Sequence, residues 1–465
     1  MENPVRRQRS PGIKFLGTVL LAAALAVPLF MVYALVWDRQ DQSRTARATI
    51  TQGWGGPQIV TGPVLVIPYE ENSVETTVTN GQEVRQVKRV TRNLYLSPKS
   101  HDVATAIEPE RKKKSIYESV IYDASLSGKA SFAMPDDLDR RGIETENMKF
   151  DRAELHFGIS DARGLQNDSR VVANGKALTT KPGAGLQASG NSGFFTFVDW
   201  DGTGTLDVDW SYGLRGSETL SLVPRGADTE WSVTSPWPHP SFSGSFLPAT
   251  SDVRDDGFTA TFAVSDLALG EDLLSNTNPG APLIGGPDIV PVYERGGVGP
   301  SMAASVGLVE PVDLYSQIDR SVKYGFLIIG FTFLAFLMFD IVAGASVSAP
   351  EYLLTGAGLV LFFVLLLAFA EVIGFAAAYA VASIAIIGLV TAYSAAVLKS
   401  WKRAKFIGAL LVGLYALLFV LLSLEALSLL IGSVLLFFAL AGTMYATRNV
   451  DWQGIGRSSG EEFRP

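Results

Sequence analysis

The sequence predicts a membrane protein with six transmembrane α-helices and a large all-β domain between the first two helices. Three observations predict this class: apolar runs long enough to cross a bilayer, a charge balance that differs between segments, and strand patterns confined to one segment. Composition agrees, because 48% of the 465 residues are hydrophobic, which is typical of chains with membrane-spanning segments.

Six apolar segments define the predicted helices. A bilayer core of about 30 Å takes roughly 20 helical residues to cross, and a backbone in lipid must satisfy its own hydrogen bonds. The small residues of Ala22–Ala26 suggest a cleaved signal peptide, but the first run continues to Trp37, which favours an uncleaved anchor. The predicted spans are 15–37, 324–346, 352–370, 372–398, 406–424 and 426–447.

Charge predicts the orientation of these helices. Residues 1–14 and 399–405 each carry four basic residues, so both are predicted to be cytoplasmic, as is the tail 448–465. The segment 38–319 then lies outside, where its 25 Lys plus Arg and 38 Asp plus Glu give a net charge of −13. An acidic exterior domain argues against a nucleic-acid partner, because phosphate binding requires a basic surface.

Turn signals inside 38–319 predict an antiparallel, sandwich-like β domain. Asn80-Gly81 separates two runs of strand-forming residues, and Asp201-Gly202 separates "FFTFVDW" from "TLDVDWSYGL". Both dipeptides supply the positive φ that two-residue hairpin turns require, so each predicts a hairpin.

Two similar short segments within this domain suggest an internal duplication. "SLSGKASF" resembles "SFSGSF", and each is followed by a strand that ends in Ser-Asp. Two related sub-units, 38–180 and 194–319, would explain this similarity and the length of the domain. A Gly/Ala/Ser-rich segment would connect them. Chance similarity between short strands is the alternative.

The segment "WGGPQIVTGPVLVIPY", residues 54–69, predicts the joint between helix and domain. Its prolines cannot donate to a sheet, and Gly55-Gly56 permit a sharp change of direction. We expect this joint to begin the first strand. Trp54 is a candidate functional residue, placed either at the lipid headgroups or as a cap on the domain core.

The residues that carry chemistry are few. The chain has no cysteine and three histidines far apart in sequence, so we predict no catalytic, metal or cofactor site. Asp199–Trp210 has partial calcium-loop spacing, but Trp210 stands where a bidentate glutamate is needed. The basic run Arg111–Lys114 has glutamates nearby and is most simply a solvated surface.

Glu371 and Glu425 are the candidate functional residues of the membrane segment. Each lies at the outer turn of a helical hairpin, in "LLAFAEVIGF" and "LLSLEALSLL". An ionisable residue at membrane depth is functional by default, whereas one at a turn can simply mark the interface, which is the reading we favour.

Several long sequence segments resemble the bacterial inner-membrane CreD family, described as cell envelope integrity proteins. They include "WGGPQIVTGPVLVIPY", "GISDARGL", "SPWPHPSFSGSFLP", "VDLYSQIDRSVKYG" and "MYATRNVDW". One departure is Val372, where the family word leads us to expect a histidine. The resemblance implies induction by a two-component system, a link to envelope stress, colicin tolerance and β-lactam response, and no assigned catalytic residues.

We therefore expect a non-enzymatic protein of the bacterial inner membrane whose exterior β domain binds an envelope protein or cell-wall component. The bilayer itself is the other expected partner. The alternative is a transporter of small molecules or lipids, suggested by the two similar helical hairpins. A cell-wall hydrolase has least support, because the histidines are scattered and cysteines are lacking.

Overall fold

The computed structural model describes residues 11–79, 82–114, 117–141, 143–270, 272–280, 303–309, 314–342, 347–423 and 428–448. The chain divides into two compact units. The first, here called the membrane unit, comprises Met1–Arg44 and Val312–Pro465, and the second, the β unit, comprises Thr45–Pro311.

The helices confirm a multi-helix membrane protein. Five segments are long and apolar enough to cross a bilayer: Lys14–Trp54, Leu314–Asp340, Ala349–Ile373, Phe375–Val397 and Trp401–Leu422. The predicted sixth span coincides with a further apolar helix, and the total of six stays a prediction. In chain order the helices are α1 Pro11–Ala24, α2 Ala26–Trp54, α3 Asp266–Leu269, α4 Leu314–Lys323, α5 Gly325–Val342, α6 Ala349–Ile373, α7 Phe375–Val397, α8 Trp401–Ser423 and α9 Ser428–Thr447.

The helix α2 extends past Trp37, the predicted end of the first membrane span, and ends at Trp54. No glycine or proline occurs between Trp37 and Gly53, so nothing in that polar segment interrupts the helix. The irregularity at Leu25 lies just before Pro28, which lacks a backbone N–H and crowds the preceding turn. The polar segment after Trp37 is thus helical, and the β domain begins later than position 38.

The β unit contains two sheets. The first has the order β13-β17-β11-β1-β5-β9-β8, with β2 beside β1 and β16 beside β2; the second has the order β14-β15-β12-β3-β4-β10-β6-β7. The strands are β1 Gln58–Thr79, β2 Gln82–Leu96, β3 Ser100–Lys114, β4 Tyr117–Phe132, β5 Glu154–Ile159, β6 Arg170–Ala173, β7 Lys176–Leu178, β8 Lys181–Leu186, β9 Ser192–Phe197, β10 Leu206–Ser217, β11 Thr219–Val223, β12 Asp228–Ser235, β13 Pro240–Gly244, β14 Thr250–Arg254, β15 Gly257–Ser265, β16 Leu274–Ser275 and β17 Ala304–Leu308.

Strand pairing corrects the expectation of a wholly antiparallel domain. β1 pairs with β11, and β3 pairs with β12, in parallel register, whereas the other named pairs are antiparallel. Parallel neighbours cannot be joined by a tight turn, so each pair joins strands that are distant in sequence. Local turn signals therefore could not predict them.

Of the two predicted hairpins, one is confirmed and one is wrong. β1 and β2 pair up to Thr79 opposite Gln82, although Asn80 and Gly81 themselves lie outside the described residues. Asp201-Gly202 does form a turn, but β9 before it belongs to the first sheet and β10 after it to the second. The Asp201 carboxylate accepts hydrogen bonds from the Thr203 backbone and hydroxyl, which stabilises a crossing loop instead of a hairpin.

One hydrophobic cluster draws its side chains from both sheets. Along β3, buried and exposed residues alternate, so one face of the second sheet contributes to the cluster and the other is exposed. The largest members include Trp231, Phe262, Phe157, Phe194 and Trp210. Strands from both predicted sub-units occur in both sheets, and the duplication stays a prediction.

Candidate functional site

Trp54 forms the centre of the joint where α2 leads into β1. Its indole Nε1 donates a hydrogen bond to the Tyr122 carbonyl at 3.3 Å. The Arg215 guanidinium lies 4.5 Å from the centre of the indole ring, and the Lys112 ammonium lies 5.0 Å from it. Two cation–π contacts and a hydrogen bond thus attach Trp54 to the β unit, while its functional role stays a prediction.

The basic run Arg111–Lys114 is only in part the solvated surface that we expected. Lys113 is 62% exposed and pairs with Glu118. Lys112, by contrast, packs on Trp54, and Arg111 lies over the Trp237 ring at 5.4 Å. Aromatic partners that are distant in sequence give two members of the run specific packing positions.

The segments "WGGPQ" and "SDARG" both approach the backbone carbonyl of Arg215. Gln58 Nε2 donates to the Arg215 carbonyl at 2.8 Å and to the Asp161 carbonyl at 3.2 Å. A Cβ atom at Gly55 would lie 2.7 Å from the Arg215 oxygen, and one at Gly164 would collide with the same oxygen. Both glycines are therefore required by the close approach of three chain segments.

Asp161 closes this joint from the loop after β5. Its carboxylate accepts hydrogen bonds from the Arg163 guanidinium at 2.7 and 2.8 Å, and from the Arg163 backbone N–H. The Arg163 hydrogen bonds hold the pKa of Asp161 below its usual value. This carboxylate is ionised and engaged in the loop, as expected of a group that shapes a joint.

The exposed face of the second sheet bears a polar groove of about 580 Å³. Its floor is made of small residues from three strands, Ala104, Ser127 and Ser232, and its walls are charged. The charged residues are Asp102, Asp209 and Glu230, with Lys129 opposite Asp209 at 4.0 Å. Such a surface offers carboxylates and hydroxyls to a partner.

The membrane unit contains a buried ion pair that the sequence reading missed. Lys14 Nζ lies 2.9 Å from Asp340 Oδ1, and the Asp340 side chain is 4% exposed. Asp340 interrupts an otherwise apolar run, which marks it as a residue in need of a partner. Sequence could have raised that question, but it could not have named a lysine 326 positions away.

Glu371 lies in the last turn of α6, and the Tyr315 hydroxyl of α4 donates a hydrogen bond to it at 3.1 Å. The partner is a nearly buried tyrosine, 4% exposed. Glu425 lies outside the described residues. The structure therefore gives Glu371 a hydrogen bond between helices α4 and α6.

The three histidines occupy separate environments. His101 is fully buried beside the Trp210 ring, and burial lowers its pKa from 6.5 to about 4. His156 Nε2 lies 2.7 Å from Glu154, whereas His239 is exposed. Within the described ranges, no group of three or more metal-ligating side chains comes together.

The aspartates of the partial calcium loop have other partners. Asp199 forms an ion pair with Lys176 at 2.6 Å, and Asp201 accepts from Thr203 as described above. Each carboxylate thus already stabilises a loop contact in the described structure.

A family model and a related sequence each match almost the whole chain. The family model described as "Inner membrane protein CreD" matches residues 10–453. The inner membrane protein CreD of Escherichia coli (strain K12) is 33% identical over 442 residues, covering 94% of this chain and 92% of its own. Crystal structures of an M1 zinc metallopeptidase from Deinococcus radiodurans, one of them a substrate-bound mutant, align over 46% of this chain and 42% of theirs at 11% identity, with TM-scores of 0.20 and 0.21. Those scores are too low to support any argument about fold or function.

Proposed function

Because the chain belongs to the CreD family of inner membrane proteins, we propose that it is a cell-envelope integrity protein whose β unit binds another envelope component. In this proposal the chain spans the membrane six times, both termini are cytoplasmic, and the two sheets of the β unit pack as a periplasmic sandwich. The charge distribution supports this orientation, since the basic segments 1–14 and 399–405 fall on one side.

The polar groove on the second sheet carries the proposal of partner binding. Four strands contribute to it, β3, β4, β10 and β12, so the groove is built on a rigid sheet. A surface of this kind suits recognition through hydrogen bonds and charge.

Binding, not catalysis, is the activity that we propose. His101 is enclosed in the core beside the Trp210 ring, and the Asp161 carboxylate is engaged by the Arg163 guanidinium. Release of peptidoglycan fragments by the purified full-length protein would contradict this part of the proposal.

The experiment is site-specific photocrosslinking in intact cells. A photoreactive residue at Ser232, on the groove floor, should capture a discrete envelope component. The matched control is the same residue at Lys176, which is exposed on β7 away from the groove. Equal capture at the two positions, or none at Ser232 in repeated trials, would refute the groove as the binding surface.

Transport of a small molecule or lipid is the competing function. Its best candidate residue, Glu371, forms a hydrogen bond with Tyr315 near the end of α6, which suits a contact between helices. The two similar helical hairpins support transport. Replacing Glu371 and Glu425 together by glutamine distinguishes transport from binding.

A further inference from the structure

The helices α1 and α2 follow each other directly and form one candidate span, Lys14–Trp54, here called the N-terminal helix. Few of its apolar side chains pack against the rest of the membrane unit. In its most apolar window only 17% of residues are buried, whereas the other four candidate spans have 33 to 56% buried. Lipid tails are as apolar as leucine side chains, so apolar contacts in a membrane distinguish weakly between a docked and an undocked helix. Specific contacts must therefore fix the position of this helix.

Two of these contacts are close approaches at glycines. The Leu25 side chain occupies the space where a Cβ atom of Gly356 would project, and a Cβ atom at Gly325 would lie 2.8 Å from the Phe363 ring and 3.1 Å from Leu29 Cδ1. Small residues allow helices to approach closely in a membrane. These contacts give shape complementarity along the middle of the helix.

The Lys14–Asp340 ion pair is the strongest contact at the start of the helix. Asp340 is almost fully buried, whereas the Lys14 side chain is 24% exposed, so the lysine reaches the carboxylate from the edge of the bundle. The Thr18 hydroxyl donates to the Lys14 carbonyl at 2.9 Å, and the buried Tyr352 side chain lies on the next helix. An unpaired carboxylate in this environment would be costly, which ties the docked helix to the charge of the pair.

We propose that the Lys14–Asp340 pair is a latch that holds the N-terminal helix against α5 and α6, and that loss of either charge releases the helix. The released helix is the one whose chain continues into the β unit. This role goes beyond binding of an envelope component and does not require it.

Disulfide trapping tests the latch in the full-length protein in membranes. The chain has no native cysteine, so Leu25→Cys with Gly356→Cys introduces the only thiols. Replacing both residues removes the leucine branch that fills the gap and places two thiols within disulfide reach. In this background, Lys14→Gln or Asp340→Asn should slow disulfide formation by about tenfold or more, while Asp38→Asn, an exposed carboxylate of the same helix, should not.

The charge swap distinguishes pairing from a general loss of structure. Combining Lys14→Asp with Asp340→Lys should restore the trapping rate to within about threefold of the parent. Single variants that trap as fast as the parent would overturn the latch. If the single variants fail to accumulate, a swapped protein at parental levels supports the latch, and a swapped protein that fails equally overturns it.

Discussion

Replacing Gly55 by alanine should strongly destabilise the β unit, while the same change at the neighbouring Gly56 should not. Gly55 has a φ of +147°, which side-chain-bearing residues rarely adopt, and its Cβ would lie 2.7 Å from the Arg215 carbonyl oxygen. A Cβ at Gly56 meets nothing within 4 Å. The two substitutions add the same methyl group one residue apart.

The magnitude follows from three effects at Gly55. A non-glycine residue in this backbone region costs about 1–3 kcal/mol, and crowding a packed backbone costs about 1–3 kcal/mol. Displacing the Arg215 carbonyl also weakens its hydrogen bond from Gln58, worth about 1 kcal/mol. We expect a loss of about 4 kcal/mol at Gly55 and a change within about 0.5 kcal/mol at Gly56.

The assay is thermal unfolding of the full-length protein in detergent, followed by tryptophan fluorescence. Five of the eight tryptophans belong to the β unit, so this signal reports mainly on that unit. At about 2–4 °C per kcal/mol for a unit of this size, Gly55→Ala should lower the Tm by about 8–16 °C. Equal Tm values for the Gly55→Ala and Gly56→Ala variants would refute the interlocked joint.

Three further predictions concern pH, topology and the membrane glutamates. The folded-state pKa of His101, about 4, lies below its unfolded value of 6.5, so the unfolded chain binds the proton first. Stability should then fall between pH 6.5 and about 4 by on the order of 3 kcal/mol; His101→Phe should remove this slope, and parallel pH curves for the two proteins would contradict the assignment. Reporter fusions that are active only outside the cytoplasm should give signal at Ser232 and none after Ser400, and an active fusion at Ser400 would overturn the six-span topology. Replacing Glu371 and Glu425 together by glutamine should leave envelope-stress tolerance unchanged at equal protein levels, because we assign both to helix turns; loss of tolerance would favour transport.

The membrane helices and the joint were predictable because their signals are local. An uncharged run is visible within about 20 residues, and the glycines and prolines after Trp54 mark the end of a helix wherever they occur. The predicted span ends at Trp37 because charged residues follow it, but the helical backbone continues beyond that span. The helix ends only at Trp54, where glycines at positions 53, 55 and 56 and the proline at 57 interrupt the helical pattern.

The remaining features depend on partners that are distant in sequence. Asp201-Gly202 signals a turn, but no local pattern tells whether the following strand returns to the same sheet. Lys14 and Asp340 are 326 positions apart, so the charge that interrupts the apolar run at Asp340 does not identify its partner. The candidate groove likewise combines side chains from four strands, so it exists only once the second sheet has formed.

The parallel pairs have a consequence for the order of folding. β1 is among the first segments of the β unit to be synthesised, yet Gln58 pairs with Leu220, and β11 in turn pairs with β17 near Val306. The first sheet, of which β1 is the central strand, cannot be completed until almost the whole β unit has been synthesised. Such non-local pairing slows folding, so the emerging chain exposes unpaired strand edges for much of its synthesis, a state in which chains are prone to aggregate.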